Sequence, residues 1–283
     1  MGIFSGLEKF GLKSAESMQL FEDEQKESEK KEDEKLEEQK IPPEEEFLLA
    51  KTVRCKVCDQ VFKTKVVKNG RVKRLEPDQD LRPRFQYIDT LKYDITSCPN
   101  CGYTAMNRYF DQILPAQVRL IREQISSQFQ GSNVPEGATF TYDEAIDRYK
   151  LSLMNTVVKK GKDSEKAYTC LKIAWLMRGK AETMSRNAAE NKAALEECKK
   201  EEDAFYHEAF DGFCKAITKE DYPMCGMEQS TLDYILAYMA FHFEQYEIAS
   251  KFLASVLTSA SASRRMKDLG LQLKEDILAQ LKR

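Results

Sequence analysis

The chain has 283 residues, of which 42% are hydrophobic and 32% charged, and its formal net charge is −3. This length allows a buried core in one or two domains. No apolar run approaches the roughly 18 residues that cross a bilayer, which excludes membrane-spanning proteins. The first residues match neither a secretory signal nor a myristoylation site, so we expect a cytoplasmic protein whose thiols stay reduced.

Two segments precede the first cysteine. Residues 1–21 form a short apolar stretch interrupted by glycines, which either packs on its own protein or is captured in a groove of another. Residues 22–48 form an acidic linker, disordered or helical. Within them, residues 22–46 carry thirteen acidic and five basic side chains, a local charge of −8. Such a segment buries almost nothing.

Residues 49–112 predict a small β module. Asn69-Gly70 lies between two β-rich runs, and this pair is a strong hairpin signal because both turn residues require positive φ. The predicted hairpin would place Lys68 opposite Arg71 and Lys65 opposite Arg74. A third strand is expected at residues 93–97.

The predicted hairpin is rich in cations. Its basic residues are Lys63, Lys65, Lys68, Arg71, Lys73 and Arg74. Like charges that face each other across strands are unfavourable unless an anion intervenes. We weigh three interpretations: a nucleic-acid surface, a surface masked by the chain's own acidic segment, and a solvated edge kept charged to prevent strand pairing.

Two Cys-x-x-Cys pairs predict a metal site. Cys55 and Cys58 form the first pair, and Cys98 and Cys101 form the second. Each turn directs two sulfurs to one point, so together they suit one tetrahedral Zn²⁺ with Zn–S bonds of about 2.3 Å. Four thiolates leave no coordination position for a catalytic water. We therefore predict one structural zinc ion that replaces a missing core in the small module.

The spacing leaves two rivals to zinc. Thirty-nine residues separate the pairs, more than in most zinc ribbons, so the intervening hairpin must extend away from the metal. A redox dithiol would favour one pair at a helix start in a βαβ pattern. An iron–sulfur cluster uses the same ligand type.

Residues 113–283 predict a helical array. Three stretches place aromatic, small, large and small residues at offsets 0, 3, 7 and 10, starting at Tyr142, Tyr206 and Tyr246. These positions share one helix face, and the pattern is typical of the second helix of a tetratricopeptide repeat.

Other helices complete the predicted array. Residues 167–175 and 232–241 predict the partner helices, and residues 180–204 predict helix extensions. Met266, Leu269, Leu273, Ile277 and Leu281 form a single apolar stripe, which suits a C-terminal capping helix. The alternative is a generic helical bundle.

Catalytic motifs are missing from the sequence. His207 and His242 lie in helical segments without the spacing of a zinc protease site, and no phosphate-binding loop or nucleophile elbow occurs. Paired acids in the linker are too solvated to act as general acids or bases. We therefore predict a protein that is not an enzyme.

The order of the motifs resembles a bacterial family called domain of unknown function 2225. The likeness covers roughly residues 50–260 and rests mainly on the sequence from Cys98 to Ala105, with the knuckle at Cys55–Cys58 before it and tetratricopeptide-like helices after it. The resemblance implies a bacterial cytosolic protein with a metal-binding ribbon, and it implies no activity.

The predicted fold is α+β, a small N-terminal zinc-ribbon module followed by a mostly helical, tetratricopeptide-like array. The predicted function is a zinc-binding, non-enzymatic adaptor whose helical repeat binds a protein partner. The first alternative is a nucleic-acid-associated factor that uses the basic hairpin, and the second is a thiol oxidoreductase. The sequence does not specify an oligomeric state.

Overall fold

The computed structural model describes residues 41–131, 139–185 and 191–282. The apolar segment predicted at residues 1–21 and the linker up to residue 40 lie outside the described residues. Phe47 and Leu48, assigned from the sequence to the end of the linker, are buried. Glu44 accepts hydrogen bonds from Lys92 Nζ at 2.7 Å and from the Tyr93 hydroxyl at 2.9 Å. The acidic segment is therefore joined to the fold at its last residues.

Two short antiparallel hairpins form the β module. Strand β1 (Leu48–Arg54) pairs with β2 (Val61–Val67), and β3 (Ile95–Ser97) pairs with β4 (Thr104–Met106). The first cysteine pair lies between β1 and β2, and the second lies between β3 and β4. Each Cys-x-x-Cys turn is thus the tip of a hairpin. A strand close to the one predicted at residues 93–97 is present.

The hairpin predicted around Asn69-Gly70 is wrong. The turn exists, since the Arg71 amide donates to the Lys68 carbonyl at 2.9 Å. However, β2 pairs with the preceding strand, so Lys65 lies opposite Ala50. The chain after the turn pairs elsewhere: the amide of Gln86 donates to the carbonyl of residue 73, and an isolated bridge joins residues 74 and 85. Lys65 and Arg74 therefore do not face each other, whereas Lys68 and Arg71 remain on either side of the turn.

The helical part begins after β4, which lies within residues 49–112, the predicted β module. Helix α1 (Pro115–Ile121) continues into a π-helical turn (Arg122–Ser126). Then follow α2 (Tyr142–Val158), α3 (Asp163–Met184), α4 (Lys192–Ala216), α5 (Gln229–His242), α6 (Tyr246–Thr258) and α7 (Arg264–Leu281). Of residues 180–204, predicted as helix extensions, residues 180–184 end α3 and residues 192–204 begin α4, while residues 186–190 lie outside the described residues.

Helices adjacent in sequence pack side by side. Helix α3 packs on α4, α5 packs on α6, and α7 packs on both α6 and α5. The small residues of the predicted pattern, Ala145, Ala209 and Ala249, lie on α2, α4 and α6 and are completely buried. A small β module followed by a helical region confirms the predicted fold class. None of the described helices has the length and apolar character required to cross a membrane.

The segment between β2 and β3 crosses the helices. The Asp80 carboxylate, which is 1% exposed, accepts hydrogen bonds from Trp175 Nε1 at 2.8 Å and Arg178 at 2.9 Å on α3. It also accepts one from the Tyr206 hydroxyl on α4 at 3.2 Å. Tyr234 on α5 donates to the backbone carbonyl of residue 79 at 2.9 Å. This segment, residues 76–84, is called the strap below.

Candidate metal centre

The four predicted ligands converge. Cys55 Sγ lies 3.6 Å from Cys101 Sγ, and Cys58 Sγ lies 3.6 Å from Cys98 Sγ. All four sulfurs lie within 4.8 Å of one another. A tetrahedron with metal–sulfur bonds of about 2.3 Å has edges of about 3.8 Å, and the cysteines are free rather than disulfide-bonded. The arrangement therefore fits one metal ion shared by both knuckles.

Both knuckles have the same backbone geometry. The Cys55 amide donates to the Gln60 carbonyl at 2.9 Å, and the Asp59 amide donates back to the Cys55 carbonyl at 3.0 Å. The second knuckle repeats these two bonds, at 2.8 and 3.1 Å, between Cys98 and residues 103 and 102. The Val57 amide also points at Cys55 Sγ, 3.4 Å away. An amide donor of this kind stabilises a thiolate.

The fourth residue after each leading cysteine has a left-handed backbone. Asp59 has φ 63° and Gly102 has φ 72°. Aspartate tolerates this region better than most residues, and glycine does so without strain. A Cβ at Gly102 would lie 2.6 Å from the ring of Phe129, so that position also requires a residue without a side chain.

The four thiols compete for negative charge. Hydrogen bonds from Cys101 and Cys55 lower the pKa of Cys98, while hydrogen bonds to Cys55 and Cys98, together with burial, raise the pKa of Cys101. One thiolate is therefore stabilised at the cost of its neighbours. A bound cation removes this competition, because it favours the deprotonated form of every ligand.

Most of the site is buried. Cys55 and Cys98 have no exposed surface, Cys101 is 5% exposed, and Cys58 is partly exposed. The surrounding side chains are apolar and include Val57. With four protein ligands and this cover, a tetrahedral ion has no free position for water or substrate.

Two helical residues hold the knuckles, and the sequence did not identify them. Arg122 Nε donates to the Val57 carbonyl at 2.8 Å, inside the first knuckle. Asn155 Nδ2 on α2 donates to the Gly102 carbonyl at 3.1 Å, beside the second. Nothing in the local spacing of either residue indicates these contacts. They show that the metal module and the helices are built as one body, in agreement with the single compact unit of residues 43–283.

The remaining cysteines have no such geometry. Cys170, Cys198 and Cys225 are buried and Cys214 is partly buried, and burial raises the pKa of Cys170 to about 12. Within the described ranges, the four knuckle cysteines are the one cluster of three or more potential metal ligands. His207 and His242 each lie beside an aspartate on the exposed helical surface.

The predicted nucleic-acid residues lie along and after β2. They are Lys63, Lys65, Lys68, Arg71, Lys73 and Arg74. Lys65 Nζ lies 4.2 Å from the centre of the Phe140 ring, and Lys68 Nζ donates to the Glu46 carbonyl at 3.0 Å. The other four are exposed. They form a basic surface in which Lys65 and Arg74 do not face each other across two strands.

A groove of about 1040 Å³ lies between the β module, the strap and the helices. Its helical wall comes from α3, α5 and α7, represented by Trp175, Ile235 and Met266. These three helices alternate along the chain: α3 precedes α4, α5 precedes α6, and α7 is the last described helix. The opposite wall comes from β2 and the strap, represented by Val67 and Leu81. No local sequence pattern predicts this groove, because it joins segments that are distant in the chain.

One of the comparisons with known proteins gives a match. No curated protein and no solved structure matches the chain. A family model described as an uncharacterized protein conserved in bacteria matches residues 48–277, which include both knuckles and most of the helical part. The chain therefore belongs to this bacterial family, DUF2225.

Proposed function

We propose that this protein is a non-enzymatic adaptor in which one zinc ion holds the β module against a helical array that binds a protein partner. The observation that carries the proposal is the closed cage of four cysteine sulfurs, all within 4.8 Å of one another. A cage with no open ligand position supports a structural ion rather than a catalytic one.

Zinc is the ion that best suits this cage. Soft thiolates and tetrahedral geometry select zinc or iron over magnesium and calcium. Three of the four sulfurs are buried and Cys58 is partly exposed, and the convergence of all four on one point favours a shared metal ion over a dithiol that exchanges with substrates. All eight cysteines are free, which supports a reducing compartment such as the cytoplasm.

The groove supports the proposed partner. Its helical wall comes from α3, α5 and α7, each of which precedes a helix with the predicted repeat pattern or ends the array. Helical repeats stack into arrays whose concave side is the usual binding surface. Grooves of this kind take an extended or helical segment of another protein. The tetratricopeptide-like relationship between the helix pairs is part of this proposal.

Metal analysis and affinity capture test the proposal together. We expect purified protein to hold one zinc per chain, with no iron and no reversible disulfide. We expect the zinc-loaded chain to retain a protein from bacterial lysate after nuclease treatment. Replacement of Leu81 and Met266 in the groove by glutamate should abolish that retention. Iron in the site, or capture that disappears with nuclease, would contradict the adaptor proposal.

A second candidate function is nucleic-acid binding by the β module. The observation that favours it is Tyr87, which is 39% exposed and held at φ 68°. Its ring lies 6.3 Å from that of Phe47, whose carbonyl accepts the Lys68 amide at 2.8 Å. The amide of Gln86, the residue before Tyr87, donates to the carbonyl of Lys73 at 2.9 Å, so the exposed ring follows directly after a backbone contact with the basic run. Single-stranded nucleic acids stack on aromatic rings in basic grooves.

Salt-dependent binding tests this candidate. Zinc-loaded protein should bind mixed single-stranded RNA with an affinity that falls steeply as salt rises, because counterions are released from the phosphates. Tyr87→Ala should weaken binding about tenfold, in keeping with the loss of one base stack. Tyr246→Ala, a change of the same type on the helical array, is the control. Absence of RNA binding at low salt would exclude this function.

A further inference from the structure

We propose that the groove binds an acidic peptide segment with bulky apolar side chains, supplied by a partner protein. This inference rests on the proposed adaptor function and gives its partner a chemical class. Three observations carry it: the charge of the rim, the apolar character of the walls, and the buried anchoring of the strap that forms one wall.

The rim of the groove is cationic. Lys51 on β1, Arg74 after β2 and Arg265 on α7 are exposed residues that line it. Among the described lining residues the one carboxylate is Asp94, which is ion-paired with Lys172 on α3. Arg265 is paired with Glu76, whose side chain is 82% exposed. Exposed pairs of this type contribute little and exchange readily for a ligand carboxylate.

The walls between these cations are apolar and only partly covered. Val67, Val72, Leu81, Phe85, Met227 and Met266 line the groove, and each is neither fully buried nor fully exposed. Apolar surface that remains half-exposed in a concave site is the part that gains most from burial by a ligand. A free phosphate or a nucleic-acid backbone would leave these walls wet, whereas leucine or phenylalanine side chains would cover them.

The wall formed by the strap is rigid enough to serve as half of a binding site. The buried Asp80 carboxylate fixes it to α3 and α4, and Arg82, which is 2% exposed, pairs with Glu182 on α3 at 2.9 Å. Tyr238 on α5 donates to Gln79 Oε1 at 3.1 Å. A preformed groove costs less ordering free energy when a peptide binds than one that must be assembled.

Peptide display on the zinc-loaded full-length protein tests the inference. A random-peptide library should enrich sequences in which aspartate or glutamate alternates with leucine, isoleucine or phenylalanine. A synthetic peptide of the strongest sequence should bind more weakly at high salt. The double variant Lys51→Glu with Arg74→Glu should bind it about tenfold more weakly, the expected sum of two rim charges. The same peptide with its acids replaced by lysine should bind that variant better than the wild type.

Lys251→Glu, on the exposed surface of α6, is the matched control and should leave binding unchanged. Enriched peptides without acidic residues, or equal binding by the double variant, would overturn the charge inference and leave the adaptor function standing. If no peptide is enriched and no lysate protein depends on the groove, both proposals fail. If the double variant prefers the lysine-substituted peptide, Lys51 and Arg74 contact the ligand. A variant that is merely misfolded would bind neither the acidic nor the lysine-substituted peptide.

Discussion

At the level of single residues, the two knuckles differ at one matched position. Asp59 and Gly102 both have left-handed φ, but only Gly102 faces a close neighbour, the ring of Phe129. The Asp59 side chain pairs with Arg54 at 3.4 Å, with both groups largely exposed, so the pair contributes little. The requirement for glycine is thus stronger in the second knuckle.

Substitutions at this position should therefore have opposite effects. We expect Asp59→Gly to leave the melting temperature unchanged or raise it, because glycine relieves left-handed strain of about 1 kcal/mol. We expect Gly102→Ala to reduce the free energy of unfolding by about 2 kcal/mol or more, because it adds both that strain and an overlap with Phe129. Chemical denaturation of the two variants measures both effects. Equal destabilisation by the two changes would contradict the geometry.

Loss of one ligand sulfur should be far more costly. In Cys98→Ser a hard hydroxyl replaces a thiolate at a buried position, so the site should lose most of its metal. We expect the zinc-to-protein ratio to fall well below one and the free energy of unfolding to drop by at least about 3 kcal/mol. Elemental analysis and thermal melting check this. Cys214→Ser on α4, which removes a thiol outside the cage, should keep the full metal content.

At the level of secondary-structure elements, the strap is held by a buried carboxylate. Asp80→Asn keeps the size of the side chain but removes the charge that Arg178 and the Trp175 and Tyr206 donors face. We expect a loss of about 2–3 kcal/mol, since a partly buried arginine loses a partner. Hydrogen exchange should rise in residues 76–84 before it rises in α3. Unchanged protection of the strap in this variant would show that Asp80 does not hold it.

A second contact between the strap and α3, in which Arg82 and Arg84 pair with Glu182, should make stability depend on pH. Burial opposes ionisation of Glu182, but the hydrogen bond from Arg84 and the charge of Arg82 outweigh it and lower the pKa of Glu182 below its ordinary value. A lowered folded-state pKa means that stability is gained above the ordinary carboxyl pKa and lost as pH falls through the folded-state value. Wild type should therefore exceed Glu182→Gln in stability at neutral pH, and the difference should vanish in acid. Protonation of the cysteines in acid affects both proteins equally, so the difference between their free energies of unfolding reports on Glu182.

The elements also show how far the sequence could be interpreted. Cysteine spacing predicted the four residues whose sulfurs the fold brings together, and the period of apolar residues located the later helices, because both signals are local. Pairing of β2 depended on which of two flanking segments it joined, and a local turn signal at Asn69-Gly70 could not decide between them. Strand β4 has only three residues, too few for a pattern. Arg122, Asn155 and the strap act across long sequence separations, which local patterns do not encode.

At the level of the whole molecule, the cage of four cysteines and the groove belong to one structure. The cage joins β1–β2 to β3–β4, and β2 supplies Val66 and Val67 to the groove wall. The helical core is separate from the apolar cluster around the cysteines and is built mainly from α2 to α7. Metal removal should consequently loosen the β module first and leave most of the helical structure in place.

Chelation should thus weaken peptide binding even though the metal does not contact the peptide, because the β module forms one wall of the groove. After zinc is removed with a strong chelator, we expect far-ultraviolet circular dichroism to keep most of its helical signal, while affinity for the acidic peptide falls by at least about tenfold, the equivalent of 1.4 kcal/mol. Added zinc should restore binding, whereas magnesium should not, because it does not favour thiolate ligands. Full affinity in the metal-free protein would show that the groove does not depend on the cage. Loss of helix together with binding would mean instead that the cage supports the entire fold, since the knuckles are bonded to Arg122 and Asn155.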